Sequence, residues 1–249
     1  HSAFVYLDRA FRDNSSIGPM QKDLDVIRID TYNRLNYPVR LFKALNTTPY
    51  AAVRQTFYSR NALGRTNIVR GVFSAGVDNS TKFYKIYDVN TNMLDLNINK
   101  LRHIVTPLVN YYYTHQPTVS NEILMQFDEI DAIKEQNGIL LSVENKLQTK
   151  RNGVSVDLVD FIISTDYQFK LKQDVFPTFE NSNYKTRKFT SVDMQLELTP
   201  YPWIYSLAKM RINTKQGLPE WTSIDFVGGK EVDRSLAFGY RYERAFDSA

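Results

Sequence analysis

The sequence has no cysteine and only three histidines among its 249 residues. The lack of cysteine excludes disulfide-stapled scaffolds, zinc-finger and iron–sulfur sites, and a thiol nucleophile. No stretch approaches 18 consecutive apolar residues, so the sequence contains no candidate transmembrane helix. The 31 basic and 27 acidic residues nearly balance. Because no run of five or more Lys and Arg occurs, we predict no nucleic-acid partner.

Motifs of catalysis and metal binding are also missing. Residues 71–76 contain two glycines around a serine, but at the wrong spacing for a nucleophile elbow. The sequence has no phosphate-binding loop, no G-x-G-x-x-G and no H-E-x-x-H, and the acidic residues of 128–135 lack the glycine and ladder of a calcium loop. We predict no catalytic residue, metal or cofactor. A glycosidase carboxylate pair stays open, because it depends on distance in space. The formally available carboxylates are Asp160, Asp193 and Glu197.

Alternation of apolar and polar residues is the dominant pattern that the sequence does contain. It is strongest over residues 191–199 and recurs over 139–148 and 235–243. Looser alternation covers 48–60, 66–77, 82–88, 103–113, 154–164 and 203–212. This period of two predicts an all-β chain.

Turn signals separate these runs. They lie at Asn61–Gly64, Asp78–Ser80, Asn152–Gly153, Gln216–Pro219 and Gly228–Gly229. Asn-Gly between two strand-like runs predicts a two-residue hairpin.

One stretch, residues 121–136, breaks the alternation. It spaces Ile123, Phe127, Ile130 and Ile133 as one face of a helix. We expect a short helix or an ordered loop there.

Strand length and face chemistry narrow the kind of all-β protein. Several runs last about 9–13 residues, which is the length of a tilted strand that crosses an outer membrane. Full charges fall on the polar side of these runs, at Glu144, Lys146, Asp193, Glu197, Arg241 and Glu243. The pattern alone predicts equally an outer-membrane barrel and a soluble antiparallel sandwich with one wet face.

Five stretches in a fixed order carry a family resemblance. They are 25–41, 48–59, 101–111 with its R-H-I-V-T-P motif, 126–131 with 137–147, and 189–200 with Trp203. Together they resemble the barrel of the lipopolysaccharide-assembly family LptD, also called OstA. The F-D-x-I-D loop motif of that family corresponds here to Phe127–Asp131.

The resemblance implies an antiparallel transmembrane β-barrel of the outer-membrane type. We expect residues 1–249 to be a single segment of a larger barrel, without the family's N-terminal periplasmic domain and its last strands. Family members are not enzymes. They receive lipopolysaccharide from periplasmic bridge proteins, work with an LptE-like plug lipoprotein, and release the lipid into the outer leaflet of the bacterial outer membrane through a lumen and a lateral gate.

Face parity then gives candidates for the lumen side of the strands. These are Arg54, Glu144, Lys146, Glu197 and Arg241. The basic members would counter lipid phosphates, and pairing with neighbouring carboxylates is the alternative. Two other functions stay open: a porin-like channel and a soluble all-β carbohydrate-binding module.

Overall fold

The strands occupy most of the chain. The computed structural model describes residues 2–9, 24–169, 188–214, 216–231 and 234–244. Its strands are β1 (Ser2–Arg9), β2 (Leu24–Asn36), β3 (Val39–Leu41), β4 (Leu45–Arg60), β5 (Thr66–Ser80), β6 (Phe83–Thr91), β7 (Ile98–Thr114), β8 (Gln136–Arg151), β9 (Val154–Gln168), β10 (Phe189–Tyr201), β11 (Ile204–Asn213), β12 (Pro219–Glu231) and β13 (Arg234–Glu243).

The described strands form one antiparallel sheet, which confirms the all-β prediction. Its order is β1-β2-β4-β5-β7-β8-β9-β10-β11-β12-β13, with β3 paired to β4 and β6 paired to β7. Helical structure within the described ranges is limited to two one-turn 3-10 segments, Met93–Asp95 and Asn121–Ile123. Neither of these two segments has the length and apolar character that a helix needs to cross a membrane.

The alternation predicted the strands well where it was regular. Each of the nine alternating runs falls mostly or wholly within a strand, and 139–148, 191–199 and 235–243 lie inside β8, β10 and β13. Four strands were not predicted from alternation, namely β1, β2, β3 and β12.

The expected turn at Gly228–Gly229 is wrong, because both residues belong to β12. A Cβ on Gly229 would lie 2.6 Å from the Arg234 carbonyl oxygen and 2.7 Å from the Ser235 Cβ. Glycine is therefore needed here for close approach to β13 rather than for a reversal of the chain. The Asp78–Ser80 signal is also displaced, since β5 continues to Ser80 and the connection follows it.

The Asn152–Gly153 hairpin is confirmed. Both residues have positive φ, 51° and 80° respectively, and Arg151 pairs directly with Val154. A type I′ turn requires this conformation at both central positions, and Asn and Gly adopt it at least cost. Gly64 and Gly217 likewise have positive φ in the two other turns that the sequence predicted.

Residues 121–136 are an ordered loop rather than a helix. Only Asn121–Ile123 forms a 3-10 turn, capped by the Ser120 hydroxyl, which accepts from the Glu122 amide at 3.3 Å. Beyond it, the Asp128 carboxylate accepts from the Ile130 amide at 2.9 Å. Side-chain bonds of this kind compete with the helical main-chain pattern, so the isoleucines do not line one helix face.

The chain divides into two compact units. Unit 1 comprises His1–Pro38, Thr48–Val77 and Tyr112–Asn137, and unit 2 comprises Val39–Thr47, Asp78–Tyr111 and Gly138–Ala249. The apolar core of unit 1 joins strands to the loop. It consists of Val26, Tyr58, Leu124 and Met125, with Ile68, Val119 and Phe127 packed against them.

Candidate functional site

The buried face of β2, β4 and β5 in unit 1 carries polar as well as apolar side chains, the latter being Val26, Ala52, Tyr58 and Val72. Its buried polar side chains are Arg28, Asp30, Thr56 and Arg70, each exposed by 3% or less. Positions of opposite parity on the same strands are apolar and exposed, with exposed fractions of 38% to 64% at Ile27, Ile29, Val53, Val69 and Phe73. In water-soluble sheets, charged side chains are normally exposed and large apolar ones are normally buried, so the buried arginines and the exposed apolar row are both unusual.

Arg28 binds two carboxylates of the loop. Its Nη1 donates to Asp128 Oδ1 at 2.8 Å and to Asp131 Oδ1 at 3.0 Å, and its Nη2 donates to Asp128 Oδ2. The Tyr58 hydroxyl donates to the same Asp131 oxygen at 2.7 Å. Asp131 is completely buried, and its other oxygen accepts from the Phe127 amide at 3.0 Å. Side chains of the sheet therefore bind both carboxylates of the F-D-x-I-D motif.

Arg70 holds the same loop through main-chain carbonyls. Its side chain is completely buried. Nε donates to Val119 O at 3.0 Å, Nη1 donates to Ile130 O at 2.8 Å, and Nη2 donates to Ile133 O. Thr118 adds a pair of bonds with Gly71, at 2.8 and 3.0 Å. We call residues 118–133 the anchored loop, because Arg28, Tyr58 and Arg70 fix it to three strands.

The Asp128 carboxylate titrates below its usual range. The hydrogen bond from Arg28 lowers its pKa most and outweighs burial, which raises it, and the amides of Ile130 and Asp131 lower it further. The side chain is 42% exposed. Asp128 is thus a solvent-accessible, ionised member of the anchor, whereas Asp131 is enclosed.

Arg54, one of the residues predicted from face parity, lies beside this cluster in unit 1. Its Nε is 3.3 Å from Asp30 Oδ1, and its guanidinium carbon is 5.0 Å from the centre of the Tyr32 ring. Arg54 and Tyr32 line a recess of about 370 Å³ together with Glu129 of the anchored loop. Arg54 therefore pairs with a carboxylate, as the alternative interpretation had it.

In unit 2, the structure brings Glu144 and Lys146 together. Lys146 Nζ lies 3.3 Å from Glu144 Oε1, 3.1 Å from Asp160 Oδ2 and 3.5 Å from Asp157 Oδ2. Glu197 is directly opposite Asp160 in the pairing of β9 with β10. One lysine is thus surrounded by three carboxylates, with Glu197 on the neighbouring strand.

Arg241 lies on the same face of unit 2 as Glu144, because the strand register links the two through Ile162, Gln195, Lys209 and Ser223. Its Nη2 donates to both oxygens of Asp225, at 2.8 and 3.0 Å. Asp225, rather than Glu243, is its partner. Four of the five predicted site residues therefore share one face of unit 2, and the fifth, Arg54, belongs to unit 1.

The two faces of unit 2 differ sharply in chemistry. The polar face carries Glu144, Lys146, Asp160, Asp193, Gln195, Glu197, Lys209, Arg211, Asp225 and Arg241. The opposite, apolar face carries Val143, Ile163, Met194, Leu196, Leu198, Met210, Ile224, Phe226, Phe238 and Tyr240. On β12 and β13 this apolar face is open, with Ile224, Phe238 and Tyr240 exposed by 37%, 60% and 46%.

The anchor residues Arg28, Tyr58 and Arg70 were not predicted from the sequence. The sequence does contain a signal at Arg28. Val26, Arg28 and Asp30 alternate with two isoleucines, so residues 25–30 could have been recognised as a strand with charges on one face, although that face is buried and not exposed. Two of the available glycosidase carboxylates are engaged by basic groups, Asp160 by Lys146 and Asp193 by Arg211. Within the described ranges, no group of three His, Asp or Glu residues is placed to hold a metal ion.

Neither a protein-family model nor a curated protein matches the chain.

Proposed function

We propose that this chain is part of an outer-membrane β-barrel that inserts lipopolysaccharide into the outer leaflet. The observation that supports a membrane strand assembly most directly is the burial of charged side chains opposite a row of exposed apolar ones in unit 1. On one face, Arg28 is buried in an ion pair and Arg70 is buried against main-chain carbonyls, while Ile29 and Phe73 are exposed on the other face. Lipid would cover the apolar face, and a wet lumen would suit the charged one.

Energetics favour the same arrangement. A basic side chain facing lipid at the bilayer midplane costs about 2–4 kcal/mol, so charged residues belong on the lumen side of a barrel strand. The strands β2, β4, β5, β7 and β8 have 13 to 17 residues. A tilted strand needs only about 9–11 residues to span the hydrocarbon. These strands are therefore long enough to cross the membrane and extend beyond it.

The lipopolysaccharide part of the proposal rests on the five ordered sequence stretches that resemble LptD. The anchored loop supports it further, since the two carboxylates of the F-D-x-I-D motif are the ones that Arg28 binds. A polar face with Lys146, Lys209 and Arg241 would solvate the sugars and phosphates of the head group. The apolar face would leave the acyl chains in contact with lipid.

Solubility tests the membrane half of the proposal. The chain is expressed, refolded with and without detergent, and analysed by size-exclusion chromatography. We expect a folded species only with detergent or lipid. A monodisperse monomer of 29.0 kDa in plain buffer would refute the barrel and favour a soluble carbohydrate-binding module.

Photo-crosslinking tests the transport half. A photoreactive residue is placed at Gln195 on the polar face of the complete gene product, in growing cells, and lipopolysaccharide adducts are detected by immunoblotting. The control position is Met194 on the apolar face. A photoreactive residue there can react with lipid of the outer leaflet whether or not the protein transports lipopolysaccharide. We expect adducts at Gln195. Adducts at Met194 alone would leave a porin-like channel as the better function.

A further inference from the structure

A small recess lies on the polar face of unit 2, across β9, β10, β11 and β12. It has a volume of about 150 Å³ and is lined by Ser164, Asp193, Gln195, Lys209 and Trp221, among others. The register places these residues in two adjacent rows. One row is Ser164, Asp193, Arg211 and Trp221, and the other is Ile162, Gln195, Lys209 and Ser223.

The dimensions of this patch follow from sheet geometry. Four neighbouring strands span about 14 Å, and rows two residues apart along a strand are separated by about 7 Å. The patch is therefore large enough for one or two sugar rings.

The aromatic wall of the recess is held in place by a charged pair. Arg211 Nε donates to Asp193 Oδ1 at 2.6 Å, and the Arg211 guanidinium lies 5.7 Å from the centre of the Trp221 ring. The pair fixes Arg211, and Arg211 in turn borders the indole. Asp193 is neutralised by this bond, so it does not oppose the approach of an anion.

Other polar groups at the recess lack partners. The ammonium of Lys209, the amide of Gln195 and the hydroxyl of Ser164 have no hydrogen bond or ion pair with any residue that the structure describes. Within the two rows, Lys209 and Arg211 against Asp193 leave a net charge of +1. The recess thus combines an indole with an ammonium, an amide and a hydroxyl. These groups together suit a sugar that carries a negative substituent.

We propose that this patch, which we call the Trp221 patch, binds an anionic saccharide. The C–H face of a pyranose packs on the indole of Trp221, because aromatic faces carry negative potential. A phosphate or carboxylate on the sugar accepts a charge-assisted hydrogen bond from Lys209. Gln195 and Ser164 bond hydroxyls on the rim. The inference deepens the proposed function, on which it rests for the source of the sugar, the lipopolysaccharide head group.

Tryptophan fluorescence provides the test, since the chain has only two tryptophans. Trp203→Phe leaves Trp221 as the single reporter. The variant, folded in detergent micelles, is titrated with glucose 6-phosphate, glucuronate, glucose and inorganic phosphate. We expect a saturable change with at least one of the two charged sugars and about tenfold weaker binding of glucose.

Charge variants complete the test. Lys209→Met should weaken binding of the charged sugar about tenfold or more, whereas Lys150→Met, the same change at a lysine outside the recess, should leave binding unchanged. Calorimetry on the unsubstituted chain gives an independent affinity if Trp203→Phe folds poorly.

Three outcomes would overturn the inference. They are no saturable binding of either charged sugar, equal losses in the two lysine variants, and phosphate alone binding as tightly as the sugars. The outcome is separable from that of the proposed function. Sugar binding without lipopolysaccharide adducts at Gln195 would keep the Trp221 patch and remove the transport role, and adducts without sugar binding would do the opposite.

Discussion

Replacing Asp131 by asparagine should release the anchored loop from the sheet. The Asp131 carboxylate is completely buried and accepts hydrogen bonds from Arg28 at 3.0 Å, Tyr58 at 2.7 Å and the Phe127 amide at 3.0 Å. Asparagine has the same shape but only one acceptor oxygen, and its NH₂ group would face a donor. The Arg28 charge would also lose its buried partner.

The size of the effect follows from the burial. Removing one partner of a buried ion pair costs about 3–5 kcal/mol. If about 3 kcal/mol of this falls on local opening of the loop, its open population rises roughly a hundredfold. Asp128→Asn is the matched control, because that carboxylate also binds Arg28 but is 42% exposed. Its cost should be about 1 kcal/mol or less.

Hydrogen–deuterium exchange followed by mass spectrometry measures this directly. Peptides covering residues 118–133 should exchange much faster in Asp131→Asn than in the unsubstituted chain, and only slightly faster in Asp128→Asn. Peptides from β10 and β11 serve as an internal reference and should be unaffected. Equal exchange in the two variants, or the larger change in Asp128→Asn, would refute the role assigned to Asp131.

The pKa of Asp128 is lowered in the folded chain, so its contribution to loop stability is fully present above the ordinary carboxylate value of 3.8 and is lost as pH falls through the folded-state value. The opening equilibrium of the loop, obtained by dividing the exchange rates by the intrinsic rate at each pH, should therefore rise at acidic pH, and Asp128→Asn should flatten that rise. Gly229→Ala should lower the free energy of unfolding, measured in denaturant, by about 1–3 kcal/mol, because its Cβ would lie 2.6 Å from main-chain atoms. Gly239→Ala is the control and should cost much less, because the nearest atom to its Cβ would be 3.5 Å away. Met194→Arg on the apolar face should make insertion into lipid vesicles less favourable, by up to about 2–4 kcal/mol at the bilayer midplane. Gln195→Arg on the polar face should insert normally. Equal insertion of the two variants would count against a lipid-facing surface.

The sequence predicted elements wherever a local rule determined the structure. Period-two alternation placed β8, β10 and β13, and Asn152–Gly153 placed a hairpin because only a few residues tolerate its backbone angles. The spacing of 121–136 left a short helix and an ordered loop as alternatives, and the chain forms the loop for a physical reason. Its side chains bond to sheet residues about 100 positions away and to nearby amides, and these bonds override an intrinsic preference.

Face parity also predicted part of the candidate site. It put Glu144, Lys146, Glu197 and Arg241 on one face, because alternate residues of a strand point the same way. The partners could not be predicted, since they depend on register between strands. The pairing of β8 with β9 shifts between Leu147 and Gln148, and this irregularity brings Asp157 as well as Asp160 to Lys146.

The way in which Arg70 holds the loop has a consequence for how this region can vary. Its acceptors at 119, 130 and 133 are main-chain carbonyls, which any residue supplies. The side chains at those positions can therefore change without loss of the anchor. The number of residues between them cannot, because one inserted or deleted residue would move a carbonyl out of reach of a guanidinium whose donors are rigidly spaced. At Arg70 the fold constrains the length of the loop, whereas at Asp128 and Asp131 it also constrains the identity of the residue.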